Sequence, residues 1–163
     1  MLFFYIRHGD PIYNPDSLTP RGELQAGALA KRLGMYGLDR IFTSTSNRAI
    51  LTAKPTCELL NMKPVELDWC KENHAWREMA MPNAEGKLTW MFQNEEMLSL
   101  LASKEVLDLG NEWHQHERFV NTSCRVGIER IQREADAFFA DLGYLGFELA
   151  VFSVKDENII ADL

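Results

Sequence analysis

Apolar positions in the first part of the chain fall into two kinds of pattern, short continuous runs and stripes of helical period. Residues 2–6 form an aromatic-rich apolar run, typical of a strand buried on both faces of a parallel sheet. Residues 10–18, rich in Asp, Pro, Asn and Ser, predict a loop. Thr19 and Pro20 then provide a cap and a first-turn proline for a helix that runs to about Gly34 or Gly37. Its apolar stripe is Ala26, Leu29, Ala30 and Leu33.

The same alternation continues through the next thirty residues. Residues 40–43 predict a second strand, and either Ser44 or Ser46 can cap the helix that follows. Pro55 lies inside that helical pattern, where it is expected to bend or loosen the helix. Residues 65–67 predict a third strand. This β-α-β-α-β order favours a parallel sheet with helices on its faces.

The second half of the chain has a less regular pattern. Residues 68–117 predict an irregular excursion with one or two short helices, of the kind that covers an active site. Residues 118–142 carry the longest helical stripe, and residues 149–154 predict a further strand. We expect residues 1–163 to form a single domain.

Charge and cysteine content narrow the classes of partner. The chain has 17 Lys and Arg against 24 Asp and Glu, a net charge of −7, which argues against a surface for nucleic acid or anionic membrane. The three cysteines form no C-x-x-C pair and fit reduced thiols. No apolar run approaches the ~18 residues of a membrane span. The composition therefore predicts a soluble, cytoplasmic protein.

One tripeptide carries most of the candidate chemistry. Arg7, His8 and Gly9 directly follow the first predicted strand, at the end where open α/β sheets bind ligands. Arg48 follows the second strand and opens a helix, whose free N–H groups favour anions. Two guanidinium groups, an imidazole and a glycine that permits close backbone approach predict a phosphate pocket in an otherwise acidic protein.

Four motifs in order, at matching spacing, resemble the histidine phosphatase superfamily, also called the phosphoglycerate-mutase-like family. They are Arg7-His8-Gly9, then Asn14, then Leu18-Thr19-Pro20-x-Gly22-x-x-Gln25-Ala26, and finally Ile41-Phe42-x-Ser44-x-x-x-Arg48-Ala49-x-x-Thr52-Ala53. The resemblance is specific over residues 1–60. It implies a three-layer α/β/α sandwich with a mainly parallel sheet.

The resemblance also implies roles for individual residues. His8 is expected to be the nucleophile that forms a phosphohistidine, and Arg7 and Arg48 to clamp the phosphate oxygens. Asn14, Gly9 and Ser44 are the expected substrate-binding positions. A carboxylic acid is expected to protonate the leaving oxygen, with Glu72 as the best match and Glu78 as the alternative. The substrate is a small phosphorylated metabolite or inorganic phosphate, and neither a cofactor nor a metal is expected.

One element of the family pattern is missing. The family has a second catalytic His in a Gly-rich motif on a late strand, whereas His74, His114 and His116 precede the long helix and none is followed by Gly. Residues 159–161 resemble the first half of that strand, which suggests a fold that lacks its last strand and helix. Three hypotheses follow: a phosphatase or mutase, an impaired phosphate-binding module, and a truncated chain that either pairs strands with another copy, as a homo-oligomer, or is poorly stable.

Overall fold

The computed structural model describes residues 2–144 of the chain. The chain divides into two compact units, one covering Met1–Ala80 and the other Met81–Leu163. Both contain helices and small sheets, so the chain is α/β, as predicted. That residues 1–163 form one domain stays a prediction. The strand predicted at 149–154 and the apolar run at 159–161 lie outside the described residues.

The first unit is built on two helices that follow the predicted boundaries. Helix α1 covers Pro20–Leu33 and helix α2 covers Asn47–Leu60. The Thr19 side chain accepts a hydrogen bond from the Gly22 N–H, which starts α1 where the sequence predicted. Helix α2 continues through Pro55, and the bend or loosening expected there stays a prediction. Helix α3, at Glu72–Met79, follows a 3₁₀ turn at Asp68–Cys70.

The strands of the first unit differ from the prediction at its N-terminal end. Strands β1 and β2, Pro11–Tyr13 and Asp16–Leu18, pair antiparallel in a segment predicted to be a loop. Strands β3 and β4, Phe42–Ser44 and Val65–Leu67, pair in parallel as expected. Residues 2–6, predicted as a buried strand, are exposed and belong to no strand of the described structure.

These differences have a simple physical reason. Apolar composition alone does not make a strand, because each strand needs a hydrogen-bonded neighbour. Strand β3 pairs with β4, and none of the sheets described within residues 2–144 includes residues 2–6. The polar residues of the 10–18 segment instead supply a turn at Asn14 and Pro15, whose flanking residues pair. Buried Leu18 anchors the end of that hairpin.

The second unit is mostly helical. Strands β5 and β6, Ala80–Pro82 and Leu88–Trp90, pair with each other. Four helices follow: α4 at Glu95–Leu101, α5 at Lys104–Leu107, α6 at Glu117–Val120 and α7 at Ser123–Asp141, with 3₁₀ turns at Met91–Gln93 and Gly110–Gln115. Its buried apolar side chains include Met91, Met97, Val106, Phe119, Cys124, Ala135 and Phe139.

Two predictions in this half need correction. The 68–117 segment is more regular than predicted, because side-chain caps at Asn94 and Ser103 start α4 and α5. The long helix predicted at 118–142 is interrupted, since the Thr122 hydroxyl donates to the Phe119 carbonyl and separates α6 from α7. Among residues 2–144, no helix has the length and apolarity to cross a membrane.

Candidate active site

His8 lies in the first unit, and its ring has a fixed orientation. Its Nδ1 atom lies 2.8 Å from the carbonyl oxygen of Gly9. A carbonyl can only accept, so Nδ1 carries a ring proton, and Nε2 is the nitrogen that holds the lone pair in the neutral tautomer with this hydrogen bond. The His8 side chain is only 13% exposed. The ring orientation therefore directs Nε2, and not Nδ1, toward Glu72.

The backbone beside His8 is tied to helix α2. The Gly9 N–H donates to Thr52 Oγ1 at 2.9 Å, and the Thr52 hydroxyl donates to the Arg48 carbonyl at 2.7 Å. Gly9 also lies directly against the backbone of Gly22, where an added Cβ would be 2.8 Å from the Gly22 oxygen. These contacts fix the position of His8 relative to the first turn of α2.

Arg48 is the most buried charged residue of the site, at 4% exposure. It is the second residue of α2, where the helix follows β3. Its Nη1 donates to Asp16 Oδ1 at 2.7 Å, and its Nη2 donates to Glu72 Oε2. The Tyr13 ring covers its face, with the centroid 5.1 Å from Cζ. The Arg48 Nε atom is buried and has no hydrogen-bond partner within the part of the chain that the structure describes.

Two carboxylates therefore share one guanidinium. Burial opposes the charge of Arg48, but the hydrogen bonds to Asp16 and Glu72 outweigh it and raise the pKa of Arg48. Burial likewise acts to raise the pKa of Asp16, yet the hydrogen bond from Arg48 and the N–H of Asn47 hold that pKa below its ordinary value. Both groups are charged at neutral pH.

Glu72 links the arginine to the histidine. It is the first residue of α3, and its Oε2 atom lies 3.6 Å from His8 Nε2. Glu78, the alternative proton donor, is six residues further along the same helix. That spacing places it about 9 Å along the axis and about 120° around it from Glu72. The geometry thus brings Glu72, rather than Glu78, to His8.

The other predicted residues are more dispersed. Arg7 precedes His8 and is exposed. Asn14 lies exposed in the turn between β1 and β2, and no hydrogen bond joins it to His8 within the described chain. Ser44 ends β3 half-buried, and its Oγ is 3.4 Å from the Ser46 N–H. The structure therefore brings His8, Gly9, Arg48 and Glu72 together and leaves Asn14 at the periphery.

Sequence reasoning missed two residues that contact this site, Asp16 and Tyr13, and it named Thr52 only within a family motif, without a role. The role of Thr52 could have been found, because it lies four residues after Arg48 on the same predicted helix face. For Asp16 the sequence offers no comparable signal, since the contact spans 32 residues and depends on a hairpin that was predicted as a loop. Tyr13 depends on the same hairpin.

A second polar cluster lies at the ends of β3 and β4. The Thr45 hydroxyl donates to Asp68 Oδ1 at 2.8 Å, and His74 Nε2 lies 2.9 Å from Asp68 Oδ2. The hydrogen bond with His74 is the main cause of a lowered Asp68 pKa. These contacts connect the 3₁₀ turn to the first turns of α3, near Glu72. Within residues 2–144, no group of three or more His, Cys, Asp or Glu could hold a metal ion.

Comparison with known proteins adds a family assignment. The model of the histidine phosphatase superfamily, branch 1, matches residues 3–134. No curated protein matches the chain. Two solved structures show similarity, a mycobacterial hydrolase at 19% identity and TM-score 0.46, and a mycobacterial glucosyl-3-phosphoglycerate phosphatase at 18% identity and TM-score 0.37. These alignments cover 82% and 75% of this chain, and 60% and 74% of those chains.

Proposed function

Since the chain belongs to the histidine phosphatase superfamily, we propose that it hydrolyses or transfers the phosphoryl group of a small phosphorylated metabolite through His8. The observation that carries this proposal is the fixed ring of His8, whose Nδ1 proton is held by Gly9 and whose Nε2 lone pair faces Glu72. Two activities are possible through this residue, phosphomonoester hydrolysis and mutase-like transfer.

The proposed reaction has two steps. In the first, the phosphoryl group displaces the Glu72 carboxylate from Arg48, and that carboxylate takes up a proton from the phosphate monoanion. His8 Nε2 then bonds to phosphorus, the ester P–O bond breaks, and the protonated Glu72 donates its proton to the leaving oxygen. In the second, water attacks the phosphohistidine, its proton returns to Glu72, and inorganic phosphate leaves; in a mutase, a second substrate hydroxyl replaces the water. Arg48, with Arg7 as a second candidate, balances the charge of the phosphoryl oxygens.

This reaction requires Glu72 to move. A phosphorus atom in near-attack contact needs about 3–3.5 Å from the nucleophile, with the leaving oxygen beyond it. The observed 3.6 Å between His8 Nε2 and Glu72 Oε2 cannot contain both. The Glu72 carboxylate must therefore withdraw from Nε2 as the phosphoryl group enters, to a distance where it still reaches the leaving oxygen.

A test of the nucleophile compares the protein with its His8→Ala and His74→Ala variants. Exposure to a ³²P-labelled aryl phosphate, followed by alkaline denaturation, should leave label on the protein that is lost in acid. We expect the label and steady-state hydrolysis of the aryl phosphate to fall at least 1,000-fold in the H8A variant, because the covalent route is removed. The H74A variant serves as the control histidine and should keep its label. Equal labelling of the H8A variant would refute the assignment.

A phosphate-binding module without turnover is the second candidate. The observation that favours it is that each of the other histidines of residues 2–144 has a carboxylate neighbour of its own: Asp68 for His74, Glu112 for His114, and Glu105 for His116. Calorimetric binding of inorganic phosphate, without any His8-dependent label or hydrolysis, would select this candidate over the enzyme.

A further inference from the structure

The turn end of the β1–β2 hairpin rests on the first turn of α2 through Asp16. Asp16 Oδ1 accepts from Arg48 Nη1 at 2.7 Å, and Asp16 Oδ2 accepts from the Asn47 N–H at 2.8 Å. The Asp16 carbonyl accepts from Asn47 Nδ2 at 2.7 Å. Tyr13, on the same hairpin, covers the face of the Arg48 guanidinium. One carboxylate thus accepts from both a guanidinium and the N–H of the first residue of a helix.

Those two donors are of the kind that binds a phosphoryl oxygen. Backbone N–H groups at a helix N-terminus attract anions, and guanidinium groups bind phosphate. Buried Arg48 keeps further N–H donors, among them Nε, which has no hydrogen-bond partner among residues 2–144. Its charge is already balanced by Asp16 and Glu72. An entering phosphate therefore meets an arginine that is already bound to protein carboxylates.

Building on the proposed function, we propose that Asp16 is an internal competing anion, which an entering phosphoryl group must displace from Arg48 and from the N-terminus of α2. The hairpin turn then covers Arg48 and the N-terminus of α2, and it moves away from them when phosphate binds. The groups that face this position are Arg48 and Asn47 from α2, Tyr13 from β1 and Glu72 from α3, with His8 beyond Glu72.

Competition has a measurable consequence for affinity. When only a fraction of molecules has the anion position open, the apparent dissociation constant rises by the inverse of that fraction. Removing the Asp16 charge raises the open fraction. If Asp16 instead served to position Arg48 for phosphate, removing its charge would weaken binding. The two roles therefore predict changes of opposite sign.

The experiment measures binding of inorganic phosphate by calorimetry at low ionic strength, for the full chain and two variants. We expect Asp16→Asn to bind phosphate at least ten-fold more tightly. The control is Asp10→Asn, because Asp10 lies beside the same hairpin but accepts its hydrogen bond from the Thr19 hydroxyl, at 2.7 Å. The D10N variant removes an equal charge and should change the affinity less than three-fold. Unchanged or weaker binding by the D16N variant would overturn the proposal.

A second measurement needs no variant. Because linkage is reciprocal, phosphate that takes Arg48 from Asp16 must raise the pKa of the Asp16 carboxyl. A ¹³C NMR titration of that carboxyl, with and without inorganic phosphate, should show the pKa move upward toward its ordinary value. A pKa that stays unchanged or falls, while phosphate saturates the protein, would contradict displacement. Neither measurement depends on turnover, so a failure of the His8 chemistry and a failure of this proposal are separate outcomes.

Discussion

At the scale of single residues, Thr52 holds the segment beside His8 and the first turn of α2 together. Its hydroxyl accepts from the Gly9 N–H and donates to the Arg48 carbonyl, and both bonds are buried. The positions of Gly9 and Arg48 are coupled, because the same Thr52 oxygen is hydrogen-bonded to both. The distance between His8 and Arg48 is thus set by a residue that takes no part in the proposed chemistry.

Replacing Thr52 by Val keeps the shape of the side chain and removes the hydroxyl. The buried Gly9 N–H then has no acceptor, which costs about 1–3 kcal/mol. We expect the free energy of unfolding, measured by urea denaturation, to fall by that amount. Thr52→Ser, which keeps the oxygen, is the matched control and should retain most of the stability. Equal losses in both variants would show that packing of the methyl group, and not the hydrogen bond, stabilises this position.

Prediction from sequence works at this scale where the geometry is local. The sequence predicted that His8 and Arg48 lie close together, and in the structure Glu72 contacts both, although residues 2–6, on which the prediction partly rested, form no strand of the described structure. The tautomer of His8 and the carboxylates of Asp16 and Glu72 on Arg48 could not be predicted, because they depend on contacts between segments far apart in the chain. The spacing of apolar residues along the chain gives no information about which distant segments come into contact.

At the scale of elements, the first turn of α1 connects the loop after His8 to the helix. Thr19 Oγ1 accepts from the Gly22 N–H at 3.1 Å and donates to Asp10 Oδ2 at 2.7 Å. The Thr19 N–H also donates to the Asp10 carbonyl at 3.0 Å. The helix cap and the end of the nucleophile loop therefore share their hydrogen bonds.

The Thr19→Ala variant should lose about 1 kcal/mol of stability, the usual value for removing an N-cap side chain. Thermal unfolding followed by circular dichroism gives the measurement. Thr19→Ser keeps the cap oxygen, and the stability of this variant should lie within a few tenths of a kcal/mol of the parent protein. A T19A protein as stable as the parent would mean that backbone contacts alone define the start of α1.

Helices were predicted better than strands in this chain. Thr19 and the apolar stripe of α1 lie within the helix they predict, so local sequence determines that element. Residues 2–6 have the composition of a strand but not the structure, because pairing is decided by neighbours distant in sequence. Pro55 differs from these examples, because its local sequence disfavours a helix interior. Helix α2 is nevertheless continuous through it, which we attribute to the surrounding contacts.

At the scale of the whole molecule, each of the two units carries one buried thiol. Cys57 belongs to α2 of the first unit and Cys124 to α7 of the second. Burial raises the pKa of the Cys57 thiol, and it raises that of Cys124 to about 11. Both thiols should therefore be unreactive in the folded protein at pH 8, unlike the exposed Cys70.

Thiol labelling in a Cys70→Ser background tests the prediction of a single domain. We expect Cys57 and Cys124 to become reactive toward an aromatic disulfide at the same urea concentration, because a single cooperative domain unfolds as a whole. Labelled positions are read by mass spectrometry after digestion. Two clearly separated midpoints would instead identify units that unfold independently.

The close contact between Gly9 and Gly22 restricts which substitutions this protein can accept. A Cβ at Gly9 would lie 2.8 Å from the Gly22 oxygen, and a Cβ at Gly22 would lie 2.3 Å from the Asp10 oxygen. The obstructing atoms belong to the main chain in both cases, so trimming a neighbouring side chain cannot make room. After the loss of either glycine, a second substitution that trims a side chain therefore cannot restore this geometry, whereas reversion to glycine can.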